Sequence, residues 1–310
     1  MTSRKTIKKP NVKGNPSDID HRKELLRLIR QLSQKYSTWA VFEDFLALSA
    51  LSVSNAVDWT HKEEREAQYM EIVSRYEKPE VDLFPEMFIH LVKALEQHSK
   101  QPTDILGQVF HELELHNKYK GQFFTPQHIC DFMGMITISE DDTDINKKGF
   151  IGVCEPCAGS GAMILGFAKA MRKNGYDFQR QMVVTATDID LKCVYMTYLQ
   201  LSLYGIPAVI IHGNSLTLQE WSRWYTPVYM LDGWVWRQAC GNLDKRYPED
   251  EALKSASDPV YAAIRDAKAL IDSVIDHPEN VSEAAEIVND TPAFDIKLRE
   301  TANGQLSFDF

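Results

Sequence analysis

"GVCEPCAGSGAMILGFAKAM", residues 152–171, is the stretch whose reading decides the fold. An apolar run stops at Glu155-Pro156, passes through Gly159-Ser160-Gly161, and continues with apolar residues at helical spacing. A strand that enters a helix through a glycine turn is the first half of a β-α-β unit. Working outward, the strand-like runs "FIGVC" (150–154), "MVVTAT" (182–187) and "AVIIH" (208–212) are separated by the helical stretches "AMILGFAKAMRKNG" (162–175) and "LKCVYMTYLQLSLYG" (191–205). Each helical stretch ends at a glycine suited to a C-terminal cap. The alternation predicts an α/β fold with a parallel sheet and right-handed crossovers, and ligands in such folds bind beyond the carboxyl ends of the strands. The quoted turn lies at that end. Gly159 and Gly161 allow a tight turn and close backbone approach, and the helix behind them directs N–H groups at a polar ligand.

The rest of the chain reads differently. From Asp20 to about His116 only helical patterns occur, in "IDHRKELLRLIRQLSQKY", "WAVFEDFLALSALSVSNAVD", "DLFPEMFIHLVKALEQH" and "TDILGQVFHELEL", the last with Thr103 or Asp104 as its cap. Four segments are therefore expected: a basic tail over 1–19, a helical domain over 20–118, the α/β domain over 119–240, and an acidic, helical or disordered tail over 241–310. In "GQFFTPQHICDFMGMI" (121–136) Pro126 can open a helix whose apolar face is Ile129, Phe132, Met133 and Ile136.

Composition sets the bounds. The 310 residues are 44% hydrophobic and 25% charged, enough for a full α/β core. The formal charge of −10 argues against a wholly basic nucleic-acid binder. Its distribution is uneven: residues 1–30 carry nine Lys or Arg against three acids, and residues 241–310 carry seven against fifteen. The basic arm could touch phosphates or be a solvated tail. No apolar window approaches a membrane span and no apolar segment follows the N-terminal lysines, so a cytoplasmic protein is expected. Of five cysteines, Cys154 and Cys157 alone are close enough to form a motif. That pair is half a zinc site or a redox C-x-x-C, but the glycine turn behind it explains the segment better, and no metal is expected. A dinucleotide fingerprint would need a third glycine where Ile164 stands.

Four segments, in order, resemble S-adenosylmethionine-dependent N-6 adenine DNA methyltransferases, above all the modification subunits of type I restriction systems. "EPCAGSG" is similar to the family's Asp-Pro-x-x-Gly-x-Gly turn. "GQFFTP" resembles the Gly-Gln-[Phe/Tyr]-[Phe/Tyr]-Thr-Pro segment that covers the methionine end of the cofactor. "ATDID" resembles the strand end whose acid takes the ribose hydroxyls, and "HGNSL" the Gly-Asp-[Ser/Thr]-Leu that closes the adenine pocket. The resemblance covers about 119–217 and implies a Rossmann-like methyltransferase sheet binding S-adenosylmethionine through Phe123, Phe124, Thr125, Pro126, Glu155, Pro156, Gly159, Gly161, Asp188 and Asn214. Glu155 would lie near the cationic end of the cofactor, and Asp188 would accept from the ribose. Asp190 is expected to cap the next helix. Asn214 stands where the family has Asp, and its amide oxygen would accept from the adenine amino group.

The resemblance implies DNA as substrate, with the adenine flipped from its stack and its amino group held by acceptors. The family does this with Asn-Pro-Pro-[Tyr/Phe]. Here the only Asn-Pro is Asn15-Pro16. Thr226-Pro227-Val228-Tyr229 is the candidate replacement, with the Thr226 hydroxyl in place of the amide, Pro227 shaping the turn and Tyr229 as the stacking ring. An ordinary aromatic packing segment is the alternative, and Trp221, Trp224 and Tyr225 could stack on bases instead. Beyond Trp236 no strand pattern appears, so either the sheet is short or a partner completes it. A specificity or second methyltransferase subunit would supply sequence selectivity. The expected function is adenine-specific DNA methylation linked to restriction-modification or a mobile element; the alternative is a catalytically inactive subunit or antirestriction factor that binds cofactor and DNA. The terminal Gln305–Phe310, "QLSFDF", resembles peptides that dock on the replication sliding clamp; folding back of Phe308 and Phe310 is the alternative.

Overall fold

The computed structural model describes residues 19–113, 124–139 and 142–234, and the backbone of two short strands, 297–300 and 306–309. Residues 1–18 of the basic tail and Phe123 lie outside the described residues, as do Gln305 and Phe310.

Six helices come first: α1 (His21–Leu32), α2 (Thr38–Asn55), α3 (Lys62–Val73), the short α4 (Lys78–Val81), α5 (Leu83–Gln97) and α6 (Ile105–Glu112). Asp20, Ser37 and Asp104 cap α1, α2 and α6 by accepting from backbone N–H groups three residues on. The sequence patterns had left α3 unassigned. Its residues are mostly exposed and only Arg65 is buried, so no apolar stripe marks it.

The second half runs α7 (Gln127–Thr137), α8 (Thr143–Lys148), β1 (Ile151–Glu155), α9 (Ala162–Lys173), α10 (Phe178–Gln181), β2 (Met182–Asp188), α11 (Leu191–Leu203), β3 (Ala208–Asn214), β4 (Gln219–Tyr225) and α12 (Pro227–Leu231). These four strands form one sheet in the order β1-β2-β3-β4, with β1, β2 and β3 parallel and β4 antiparallel to β3. All three predicted strands and both predicted crossover helices are present. Gly175 and Gly205 end their helices at φ of 83° and 69°, as a glycine cap requires. β4 is the strand that the pattern missed: Gln219, Glu220, Trp221 and Arg223 are exposed on it, so it lacks an apolar run.

α11 is buried from Cys193 to Leu201 because it lies between the sheet and α2. One hydrophobic core therefore extends from Leu25 and Phe42 through Leu106 to Val184, Ile210 and Trp224. The expected boundary at residue 118 does not separate two cores. Residues 1–244 form one compact unit and 245–310 another. Arg65 reinforces the first unit from within. It pairs with Asp58 at 2.6 Å, donates to the Arg223 carbonyl at 2.8 Å and lies 4.1 Å over the Trp224 ring. In the second unit Lys297–Glu300 (β5) pairs antiparallel with Leu306–Asp309 (β6), so part of the expected docking peptide is a hairpin strand.

The expected apolar face of α7 is overturned. Ile129, Phe132, Met133 and Ile136 are exposed, and the helix instead packs on α9 through Cys130 and Gly134. The reason is steric. A Cβ on Gly134 would come within 2.5 Å of the Gly166 carbonyl oxygen, and a Cβ on Gly166 within 2.5 Å of the Cys130 carbonyl oxygen. The backbones approach so closely that only the small-residue face fits. Gly166→Ala is accordingly expected to destabilise the chain by about 1–3 kcal/mol, read as a lower urea midpoint with an unchanged slope.

Candidate cofactor site

The turn after β1 is built from its backbone upward. Gly159 (φ 57°) and Gly161 (φ 89°) both take the left-handed conformation. A Cβ on Gly159 would press to 3.1 Å of the Phe124 ring, and one on Gly161 to 3.3 Å of the Thr197 hydroxyl. The turn is fastened at several points. The Ala158 N–H donates to the Thr187 carbonyl at 2.9 Å, the Gly159 N–H to Asp188 Oδ2 at 2.8 Å, and the Gly161 N–H to the Ala158 carbonyl at 2.8 Å. From beneath, Thr197 donates to the Gly159 carbonyl at 3.1 Å and Gln200 Nε2 to the Ser160 carbonyl at 2.7 Å.

The structure brings most of the predicted cofactor residues to this end of the sheet. Phe124 lies against Gly159 on one side and Phe110 on the other, with the two rings 4.8 Å apart. Thr125 and Pro126 are exposed at the start of α7, where the Thr125 carbonyl accepts from the Cys130 thiol. Glu155, at the end of β1, accepts from the Cys157 N–H at 3.0 Å and so folds the Glu155-Pro156-Cys157 bend. Asp188 ends β2. Each of its oxygens accepts one backbone N–H, from Gly159 and from Asp190 at 2.9 Å, and burial holds its carboxyl above the ordinary aspartate range. Each carboxylate oxygen retains acceptor capacity, which suits a pair of vicinal hydroxyls. Asp190 caps α11 by accepting from the Lys192 N–H at 3.0 Å, as expected.

Two expectations need correction. Asn214 does lie at the end of β3, but its amide oxygen already accepts from Leu216 N–H at 3.0 Å and Thr217 N–H at 3.2 Å. Both lone pairs are used in closing the turn, so the group this side chain can offer a ligand is its Nδ2 donor, not the acceptor foreseen. The larger correction concerns Thr226-Pro227-Val228-Tyr229. Because β4 runs antiparallel to β3, the chain returns to the amino end of the parallel strands before reaching Thr226. The Thr226 hydroxyl is fully buried. It accepts from Ala208 N–H and donates to the Ile206 carbonyl, both at 2.9 Å, at the start of β3. Six residues of β3, roughly 20 Å, separate this point from Asn214. Tyr229 is buried on the sheet's other face with Phe150, Val183, Val209, Ile211 and Trp234, and stacks on Tyr225 at 5.7 Å. Pro227 opens α12. These residues hold the bottom of the sheet. Of the proposed base-stacking alternatives Trp224 is buried in the core and Trp221 is exposed beside His212.

Sequence reasoning missed the buried residues Thr197 and Gln200 beneath the turn, and read Asp104 only as a helix cap. Thr197 and Gln200 sit three apart on one face of α11, a spacing visible in the sequence but without a chemical signature. Among the described residues there is no metal-binding cluster, and no helix is long and apolar enough to cross a membrane. Cys154 and Cys157 are exposed free thiols. The structural account of Thr226 predicts that Thr226→Val, by orphaning a buried N–H and a buried carbonyl, costs about 1–3 kcal/mol of stability in a denaturant melt. Ligand affinity at the far end of the strands should be unchanged.

The family model for N-6 DNA methylases matches residues 102–232, from the approach to α6 through β4 and α12. Among solved structures, a Listeria monocytogenes protein described as a class I S-adenosylmethionine-dependent methyltransferase shares 14% identity, with 64% of this chain and 54% of that chain covered at a TM-score of 0.38. The methyltransferase subunit of a type I restriction-modification system from Streptococcus thermophilus shares 14% identity, with 60% of this chain and 55% of that chain covered at a TM-score of 0.31. This chain thus spans little more than half the length of those two proteins. No curated protein matches it. Residues 102–232 of this chain are thus similar to the N-6 DNA methylases.

Proposed function

We propose that this protein binds S-adenosylmethionine at the carboxyl ends of β1, β2 and β3 and acts on DNA, transferring a methyl group to the exocyclic amine of adenine in a restriction-modification or mobile-element setting. The observation that carries the reading is the pairing of the family match with the turn's construction: two left-handed glycines beside a half-buried Asp188 that still has acceptor capacity. That donor and acceptor set fits the cofactor. Asp188 would take the ribose hydroxyls, Gly159 and Gly161 would let the backbone come close, and Phe124, Thr125 and Pro126 would border the methionine end near Glu155 and Pro156. Asn214 would face the adenine through its Nδ2 group. Bound there, the cofactor supplies an electrophilic methyl group.

The acceptors that hold the adenine amine are not assigned to Thr226 or Tyr229, because both side chains are used in packing at the other end of the strands. That observation favours a second reading, a subunit or antirestriction factor that binds cofactor and DNA without its own transfer chemistry. A specificity or second methyltransferase subunit is proposed as partner in either case. The proposed compartment is the cytoplasm.

Transfer of radiolabelled methyl from S-adenosylmethionine to unmethylated duplex DNA tests the choice, with Asp188→Ala in parallel. Label on adenine that is lost in the variant is the expected result; cofactor binding without label supports the second reading. Affinity should also depend on pH. Ionised Asp188 is the form that accepts two hydroxyls, and burial raises its pKa, so cofactor affinity should fall as pH drops through that raised value and plateau above it. Asp188→Asn should bind more weakly and lose that dependence, as read by calorimetry from pH 8 down to about pH 5.

A further inference from the structure

We infer that Asp104, at the head of α6 in the helical layer, is a positioning residue for the cofactor turn, acting through Ser160 and Gln200. The inference rests on the cofactor reading above. Asp104, Ser160 and Gln200 are all buried, and Gln200 is fully so. Asp104 Oδ2 accepts from the Ser160 hydroxyl at 2.5 Å. Its Oδ1 accepts from the Gly107 N–H at 2.7 Å and from Gln200 Nε2 at 2.9 Å. Gln200 in turn accepts the Ile105 and Leu106 N–H groups at 2.8 and 3.2 Å and donates to the Ser160 carbonyl. The first turn of α6 and the Gly159–Gly161 turn are therefore joined by one knot of buried polar side chains.

The other end of α6 reaches the turn's upper side. Phe110 and His111 hold the Phe124 ring, at 4.8 and 5.7 Å between centroids, and that ring lies against Gly159. One eight-residue helix thus brackets the turn, with Asp104 beneath it and Phe124 above it. A helix cap alone needs only the bond to Gly107. The Ser160 hydroxyl and the Gln200 amide nitrogen go beyond that requirement and lead to the turn, while the Gln200 oxygen caps the head of α6. Burial pushes the Asp104 carboxyl above the ordinary range, and the Ser160, Gln200 and Gly107 bonds oppose that push. An asparagine could keep the same network, with its oxygen accepting from Gly107 and Gln200 and its Nδ2 donating to the Ser160 hydroxyl.

The test uses the full chain and three variants, Asp104→Ala, Asp104→Asn and Ser160→Ala. S-Adenosylmethionine affinity is measured by calorimetry well below every melting temperature, and amide exchange of residues 158–162 is followed without ligand. Asp104→Ala is expected to weaken binding about tenfold or more, Ser160→Ala by several fold, and Asp104→Asn by less than about threefold. Exchange in the turn should speed up in Asp104→Ala and stay near wild type in Asp104→Asn. Adding Ser160→Ala to Asp104→Ala should weaken binding by less than Ser160→Ala does alone, since the link is already broken. Wild-type affinity in Ser160→Ala and in a folded Asp104→Ala, with unchanged exchange, overturns the inference alone. If Asp104→Ala does not fold, Ser160→Ala removes one hydroxyl from the same link and decides by itself. A wild-type chain that does not bind the cofactor overturns the cofactor reading together with the inference.

Discussion

The side chain of Gln200 is the joint on which this structure turns. Its oxygen takes two backbone N–H groups at the head of α6, and its nitrogen gives one hydrogen to Asp104 and one to the carbonyl of Ser160. All four hydrogen-bonding positions of the amide are filled in a fully buried site. A buried amide left unsatisfied would be costly, so the arrangement is close to all-or-none. It fixes three things at once: the depth at which α11 sits, the start of α6, and the height of the turn after β1.

The merged core follows from that joint. A helical layer and a parallel sheet could each bury their own apolar faces, and a chain organised that way would show two cores. Here α11 has apolar and small polar residues around its whole circumference and serves both layers. Tyr195 and Tyr198 meet Trp224 edge-on within the core, and the Arg65 guanidinium lies over the same indole. The helical half is thus a structural support of the ligand end of the sheet. Movement of α6 has a direct mechanical route to Gly159 and Ser160.

The direction of β4 has an equally large effect on function. An antiparallel return along β3 brings the chain to the bottom of the sheet just where a parallel fourth strand would have ended at the top. Thr226 then becomes a clasp for the first residues of β3, and Tyr229 a core residue on the second face. Among the described strands β1 has a single neighbour, and its Gly152 and Cys154 are exposed. Parallel sheets are ordinarily covered on both faces.

What the sequence determined by itself was local. Glu155-Pro156 through Gly161 specifies a turn that only glycines tolerate, the three apolar runs specify parallel strands, and Gly175 and Gly205 end the helices between them. Asp188, Asp190 and Asp104 were readable because a strand end or a helix start dictates their neighbours. The tertiary structure alone decided the rest. The face of α7 was misread because its packing is set by backbone-to-backbone approach at Gly134 and Gly166, which leaves the larger residues outside. The oxygen of Asn214 was assigned to a ligand, but the bend behind β3 takes it first. Thr226 and Tyr229 were placed by analogy with a motif position, which carries no information on strand direction. Direction depends on which neighbour a strand finds, and that choice is made by side chains far apart in the chain.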